Sequence, residues 1–263
     1  MGEELAVIEG EGDVIADALR TAALGGNGNE PHREMFVDIT ADGLETPASS
    51  VDAAQRSYCT LSPELFDRLS VFEPTAALFP VVEVLDWLEW LAGADPITLS
   101  FVGEPGAAMA SQLRLVGRHS KVAVDCAVDP ALLDEIELSL PDRFDGGVFL
   151  DDGGDPVPTR IETTAAELAR LVGAARRCGL DRYPLTVTAG QVNFGLTDGG
   201  TQVEGQLDAT VDGPGFAEEF GSSFGRVVRA VDGTVTLYTG PDQPLAVVTT
   251  VPGAIFRHVV HAV

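Results

Sequence analysis

Lysine is almost missing from this sequence. Of 263 residues, 16 are basic, and Lys121 is the single lysine among them. Acids number 41, so the formal net charge is −25. That balance excludes a protein that holds nucleic acid through bulk positive charge. Cysteine is scarce as well. Cys59, Cys126 and Cys178 are odd in number, far apart and set among apolar neighbours. This excludes a paired disulfide framework and a clustered thiolate metal site, and it reads as reduced, buried thiols. No apolar run reaches the ~20 residues of a membrane-spanning helix. The first two dozen residues lack a basic start and carry acids throughout, so no secretory leader is expected. The expectation is a cytoplasmic protein with no membrane partner.

What is present is a substantial apolar fraction, 45 % of residues, enough for a core despite the charge. The length fits one large domain or two of roughly 130 residues each. An acid excess with arginine in place of lysine suits a solvent of molar salt. There carboxylates hold hydrated cations, and a Debye length of roughly 3 Å screens self-repulsion. On this reading the charge reflects solvent more than partner.

Periodicity predicts a first helix from Asp13, with Val14, Ile15, Ala18, Leu19 and Ala22 on one face, capped by Asp13 and stopped at Gly25–Gly26. Phe36 to Thr40 reads as a strand entering a hairpin at Ala41-Asp42-Gly43, and Arg56 to Leu61 as another strand. A helix over about Val81 to Ala92 turns Val81, Val84, Leu85, Leu88 and Leu91 inward. Strands follow at Ile97 to Val102, Gln112 to Val116 and Lys121 to Ala127, with a turn at Gly117 to Ser120. Residues 128–156, rich in Pro, Gly and Asp, read as a long, partly packed connection.

The schedule then repeats. A helix is predicted from about Thr163 to Cys178, then strands at Leu185 to Thr188, Gln191 to Leu196 and Thr201 to Leu207, with a turn at Thr197 to Gly200. A second helix is predicted from about Phe216 to Ala230, with Phe216, Phe220, Phe224, Val227 and Val228 as one stripe. Strands close the chain at Thr234 to Tyr238, Pro244 to Thr249 and Ile255 to Val260. Ala94 to Phe101 echoes Val231 to Tyr238. The reading is an internal duplication of an α+β unit, with helices on one face of an antiparallel sheet.

With those elements in order, the chain resembles the DNA sliding clamps of the PCNA type. The resemblance rests on Ile39-Thr40-Ala41-Asp42-Gly43-Leu44, then Ser50-Val51-Asp52-Ala53-Ala54 and Cys59-Thr60-Leu61. It continues through Val84 to Thr98, Phe220 to Leu237, and Pro244-Leu245 with Gly253 and the closing strand. It covers nearly the whole chain in order and spacing, with low residue identity. It implies the α+β DNA-clamp fold: two similar subdomains, each with two helices packed on antiparallel sheet. The implied bounds are 1–127 for the N-terminal subdomain, 128–156 for an interdomain connector and 157–263 for the C-terminal subdomain. The solvent signature points to a divergent member from a salt-adapted, haloarchaeal-type cytoplasm.

The resemblance further implies a non-catalytic processivity factor for DNA replication and repair. Three chains close into a homotrimeric ring around duplex DNA, or the chain joins a ring with related clamp subunits. Peptides of polymerases, ligases or nucleases dock on the ring, whose work is to raise effective concentration. No cofactor and no metal are implied. Lumen-facing helix positions should be basic or neutral, which singles out Arg20, Arg170, Arg176, Arg177, Arg226 and Arg229 as DNA-facing. With Arg182, the five in the second half form a large share of all the basic residues. The alternative is that these arginines pair with local acids or sit at helix C-termini. The presumed peptide pocket comprises Val51, Tyr58, Leu132, Leu133, Ile136, Pro244, His258 and Val260. The alternative there is ordinary core and strand packing.

The first half departs from the family pattern. Its second helix sets Glu83, Asp86, Trp87, Glu89 and Trp90 away from the aliphatic stripe and has no base at all. Trp87 and Trp90 either pack under a loop at Val71 to Pro80 or form a protein-contact patch. The second option suits a divergent clamp-fold adaptor, or one subunit of a mixed ring, that acts by protein–protein contact without encircling DNA. A third class is a binding domain of another duplicated α+β fold. Catalysis has little support. Asp151 and Asp152 are adjacent on a Gly-rich loop, so they read as solvated or cation-binding. His32, His119, His258 and His261 are scattered, Gly103 to Gly106 lacks the residues of a phosphate loop, and no Ser–His–Asp set has a defensible context.

Overall fold

A computed structural model describes residues 2–23, 34–49, 55–91, 96–128, 141–145 and 147–263. The chain forms two compact units. One comprises Met1–Val51, Ser57–Leu138 and Val251–Phe256; the other comprises Asp52–Arg56, Ser139–Thr250 and Arg257–Val263.

The first unit opens on a strand absent from the periodicity reading, β1 (Glu3–Glu11). Leu5, Ala6 and Ile8 in it are buried. Helix α1 (Gly12–Ala22) follows without a loop. Asp13 does not cap it: the N-cap is Glu11, which makes no side-chain cap bond, and Asp13 lies in the first turn, where the helix dipole favours an acid. The predicted stop at Gly25–Gly26 lies outside the described residues. Strands β2 (Glu34–Thr40) and β3 (Gly43–Ser49) form the hairpin expected at Ala41–Asp42, closed by the pair Thr40–Gly43. Gly43 has φ +133°, and a Cβ there would sit 2.2 Å from the Leu61 carbonyl oxygen, so only glycine fits.

Strands β4 (Gln55–Leu61), β5 (Arg68–Val71) and β6 (Thr75–Pro80) come next. The segment read as a loop at Val71 to Pro80 is therefore largely a strand. It pairs along β2 from Thr75–Ile39 to Pro80–Glu34 and buries Ala76 to Phe79. Helix α2 (Val81–Leu91) starts directly from it and buries Val81, Val84, Leu85 and Leu88. Strands β7 (Pro96–Gly103), β8 (Gln112–Val116) and β9 (Lys121–Asp125) form an antiparallel meander. Its second turn is closed by the Gly117 N–H donating to Ser120 at 2.9 Å. The strand order is β5-β1-β7-β8-β9 in one sheet, with β2 between β3 and β6 in another. Helices α1 and α2 lie against each other, and their inner stripes share one core with β1, β2, β7 and β8.

In the second unit, residues 141–143 form one 3-10 turn, and β10 (Phe144–Asp145) pairs with β11 (Val148–Phe149) as a small hairpin. The connector residues Leu132, Leu133, Ile136, Leu138 and Leu140 lie outside the described residues. Strand β12 (Thr159–Thr164) is a second strand that the periodicity reading lacked, although its buried Thr159, Ile161 and Thr163 alternate with Arg160, Glu162 and Thr164. Helix α3 (Ala165–Arg177) is capped by Thr164, whose hydroxyl accepts from the Glu167 N–H. Strands β13 (Tyr183–Thr188), β14 (Gln191–Asp198), β15 (Thr201–Leu207), β16 (Thr210–Asp212) and β17 (Ala217–Phe220) lead to helix α4 (Ser222–Ala230).

The helix predicted from Phe216 thus starts six residues late. Ala217 to Phe220 pairs with β13 from Thr186–Ala217 to Tyr183–Phe220, and Gly221 turns the chain into the helix. The Phe216, Phe220 and Phe224 rings are buried all the same, because the strand and the helix aim at one core. Strands β18 (Thr234–Thr239), β19 (Leu245–Val251) and β20 (Ala254–Val260) end the chain. The order is β16-β12-β18-β19 in one sheet and β15-β14-β13-β17 in another.

Each half therefore runs strand, helix, five strands, helix, three strands, with the same sheet order. The duplication expected from sequence is present element by element.

Candidate functional site

In the second half α3 packs against α4, because Leu168, Leu171, Val172 and Ala175 of one and Phe224, Val227 and Val228 of the other face a common core. Their outer positions carry the arginines. Arg176 and Arg177 occupy the last turn of α3, where its dipole favours cations. Both are exposed, and neither side chain has a hydrogen bond or ion pair among the described residues. Arg229, also exposed, lies in the last turn of α4. Tyr183 joins the two helix ends. Burial pushes its hydroxyl above the ordinary value, while the nearby Arg229 and Arg176 charges pull it back. Its ring sits 5.6 Å from that of Phe224, and a Cβ at Gly225 would meet the Tyr183 hydroxyl at 2.5 Å. Gly225 is what lets the tyrosine reach α4.

Arg170, Arg182 and Arg226 have partners in their own surroundings. Arg170 donates to Glu167 at 2.6 Å and to the Gln206 carbonyl. Glu167 also accepts from the Asp208 N–H at 2.9 Å, and these donors hold its carboxyl below the ordinary value. Arg182 donates to Glu219 at 2.8 Å. Arg226 is half-buried and donates to the Ser223 hydroxyl at 2.8 Å. Of the arginines singled out from sequence, the structure thus brings Arg176 and Arg229 together near Tyr183, with Arg177 beside them on α3. It gives Arg170 and Arg226 partners in their own surroundings.

The first half presents the opposite surface. Arg20 is exposed but donates to Asp17 and, at 3.0 Å, to Glu89 of α2. Trp87 and Trp90 are not covered by the segment before α2, which is taken up in the sheet as β6. They are 36 % and 62 % exposed. Their rings meet edge to face at 5.7 Å, and the Trp87 indole N–H donates to Glu83 at 3.4 Å. With Pro80, Val82 and Asp86 they line an open groove of about 560 Å³. Pro80 and Val82 escaped the sequence reading. The signal was there: at helical spacing Val82 falls about 100° round from Val81 and outside the stripe of Val81, Val84, Leu85 and Leu88.

Among the presumed pocket residues, Val51, Leu132, Leu133 and Ile136 lie outside the described residues. Tyr58, His258 and Val260 are buried in their strands, and Pro244 is half-buried. Full burial of His258 lowers its pKa to about 4, so it is neutral near pH 7.

Residues weighed for catalysis have structural work. One Asp151 oxygen accepts from the Gly153 and Asp155 N–H groups, at 2.8 and 3.0 Å, as a turn cap. Asp152 pairs with Arg143 at 2.7 Å. His119 is exposed in its turn, and His261 is depressed by burial and by the Arg56 and Arg143 charges. His32 lies outside the described residues. The three cysteines are free and buried, and burial with the Asp125 charge pushes Cys126 up to about 12, far from a thiolate. Among the described residues no group of three or more His, Cys, Asp or Glu is placed to hold a metal, and no helix is long and apolar enough to cross a membrane.

This architecture is the α+β fold of the DNA sliding clamps. Solved clamps match along the full chain: PCNA of A. fulgidus with the C-terminal region of FEN-1 bound (TM-score 0.76, 12 % identity, 98 % of each chain covered), and PCNA of Entamoeba histolytica (0.74, 10 %, 99 % of this chain and 100 % of that one). A chain of the PCNA2–PCNA3 complex of Sulfolobus tokodaii matches at 0.72 with 13 % identity, covering 97 % and 98 %. No family model matches the sequence, and neither does any curated protein sequence.

Proposed function

We propose that the chain is a non-catalytic clamp-type scaffold for DNA replication or repair. It assembles into a ring of three copies around duplex DNA and tethers DNA-processing enzymes there. The observation that carries this reading is the full-length clamp fold, present in both halves with the same element order. In the proposed ring, Arg176, Arg177 and Arg229 face the duplex. Holding by topology suits the chain's charge and a salt-adapted cytoplasm. Phosphate contacts fade steeply with ionic strength, whereas encirclement does not depend on their strength.

The proposed division is 1–127, a connector over 128–156, and 157–263. Peptides of polymerases, ligases or nucleases are the proposed outer partners, with Val51, Leu132, Leu133, Ile136 and Pro244 as the proposed contact residues; Tyr58, His258 and Val260, proposed with them from sequence, are buried and do not line an open groove. The A. fulgidus clamp, which carries the C-terminal region of FEN-1, supports that choice. The test is mass and DNA retention in molar salt. A trimer that stays on circular duplex DNA and slides off once the DNA is linearised supports the reading, and a monomer that never retains DNA overturns it.

A second reading is favoured by the acidic, aromatic α2 face: a subunit of a mixed ring, or an adaptor, that works by protein contact. The S. tokodaii structure contains two different clamp subunits, a precedent for mixed assembly. A chain that reaches ring mass only when mixed with a second clamp subunit supports this reading over the first.

A further inference from the structure

We infer that the α2 groove docks an arginine-bearing segment of a partner protein. The groove side of α2 lies outside the helix's buried stripe. Val81, Val84, Leu85 and Leu88 already bury the helix, and Val82 (41 % exposed), Trp87 and Trp90 are left outside. Exposed aromatic area of this kind is characteristic of an interface.

Its chemistry selects the occupant. The indole faces carry negative electrostatic potential, and Glu83 and Asp86 line the groove with them. Glu89 on α2 and Asp13 and Asp17 on α1 add charge of the same sign. Arg20, the base on these two helices, is held by Asp17 and Glu89. Phosphate is repelled from such a face, so nucleic acid is a poor occupant. A guanidinium fits it in two ways: it stacks flat on an indole, and its fork pairs with a carboxylate. The bond from the Trp87 N–H to Glu83 sets carboxylate and ring side by side. Lysine supplies the charge without the flat, forked donor set, so arginine is the preferred residue. The inference rests on α2 alone and stands whether or not the chain forms a ring.

Trp87 and Trp90 are the only two tryptophans in the sequence, so intrinsic emission reads the groove directly. The probe is a blocked peptide, Gly-Arg-Gly-Arg-Gly-Arg-Gly, compared with versions carrying lysine or glutamate in place of arginine. The expected result is a saturable change in emission with the arginine peptide, a weaker one with lysine and none with glutamate. Trp90→Ala, which leaves Trp87 as reporter, should weaken binding about tenfold. Glu83→Gln with Asp86→Asn should weaken it similarly, and Arg177→Ala should leave it unchanged. All four positions sit on helix surfaces, and circular dichroism checks that each variant is folded. A flat titration, an equal response to the glutamate peptide, or unchanged affinity in Trp90→Ala overturns the inference. So does a Trp90-dependent response to short duplex DNA. A fall in oligomer mass in Trp90→Ala also overturns it, since the occupant is then a second copy of this chain.

Discussion

The helix pair α1/α2 and the helix pair α3/α4 hold equivalent places in two halves of identical element order, yet they carry opposite surfaces. On α1/α2 acids surround two exposed indoles, and Arg20 is tied to Asp17 and Glu89. On α3/α4 the exposed ends carry Arg176, Arg177 and Arg229. Inward stripes differ far less, since both pairs bury aliphatic or aromatic rows against sheet. The lesson is that a duplicated fold constrains the buried face of a helix and leaves the outer face free to diverge. The outer faces are where the two halves differ in charge and in exposed aromatic area.

The most damaging way to probe this comparison is to remove a core anchor. Phe224 is fully buried at the α4 end, so Phe224→Ala should cost about 3–5 kcal/mol by urea unfolding at fixed high salt. Trp90→Ala on the matching helix of the other half should cost under about 0.5 kcal/mol, because its ring is largely exposed. Equal losses would break the distinction between inner and outer faces.

Acid should separate the halves next. His258 is neutral and fully buried, with its pKa lowered from 6.5 to about 4. Between those values the unfolded chain binds a proton that the folded chain refuses. Stability is therefore complete above about pH 6.5 and falls as pH drops toward 4, by up to about 3 kcal/mol. The first half has no buried histidine among its described residues. Hydrogen exchange at pH 5 should show strands around His258 opening before β7 and β8, and His258→Phe should flatten the pH profile. The same direction holds, more weakly, for Glu167: its depressed pKa gives stability above the ordinary carboxylate range that is lost as pH falls through the folded value.

Two helical glycines sharpen the account of the α3/α4 face. Gly225→Ala drives a Cβ against Tyr183 and should cost about 1–3 kcal/mol by thermal unfolding. Gly173 in α3 has open space at its Cβ position, so Gly173→Ala should add about 0.5–1 kcal/mol. Smallest in energy is the charge test. Arg177→Ala should lower the salt slope of DNA retention by about 0.9 per removed phosphate contact, and Arg20→Ala should leave it unchanged. If Arg20→Ala has the larger effect, the assignment of DNA-facing sides is reversed.

Much of this fold is legible in the sequence. The stripes of α1, α2 and α3 were readable because apolar residues recur at helical spacing, and the hairpin at Asp42-Gly43 because only glycine tolerates the turn. β1 escapes the periodicity reading because its Leu5-Ala6-Val7-Ile8 run is buried without alternation and β1 passes into α1 with no loop between. Phe216 to Phe220 was misread as helix because Phe216, Phe220 and Phe224 keep a four-residue spacing. Pairing with β13 decided otherwise, and no local signal reports a partner strand more than thirty residues upstream. At the candidate site, the sequence located the arginines but did not distinguish engaged from unpaired ones. Arg170 is occupied by the Gln206 carbonyl, a group brought to α3 only by folding.

The sequence by itself determined the acid excess and the near-absence of lysine, the duplication, and the clustering of bases on two helices of the second half. Those are properties of composition and spacing, which survive without coordinates. Tertiary structure alone decided which arginines stay unpaired, that Ala217 to Phe220 is a strand, and that Trp87 and Trp90 stand in the open. Each depends on what lies across a sheet or beside a helix, and burial and pairing are set by neighbours distant in the chain.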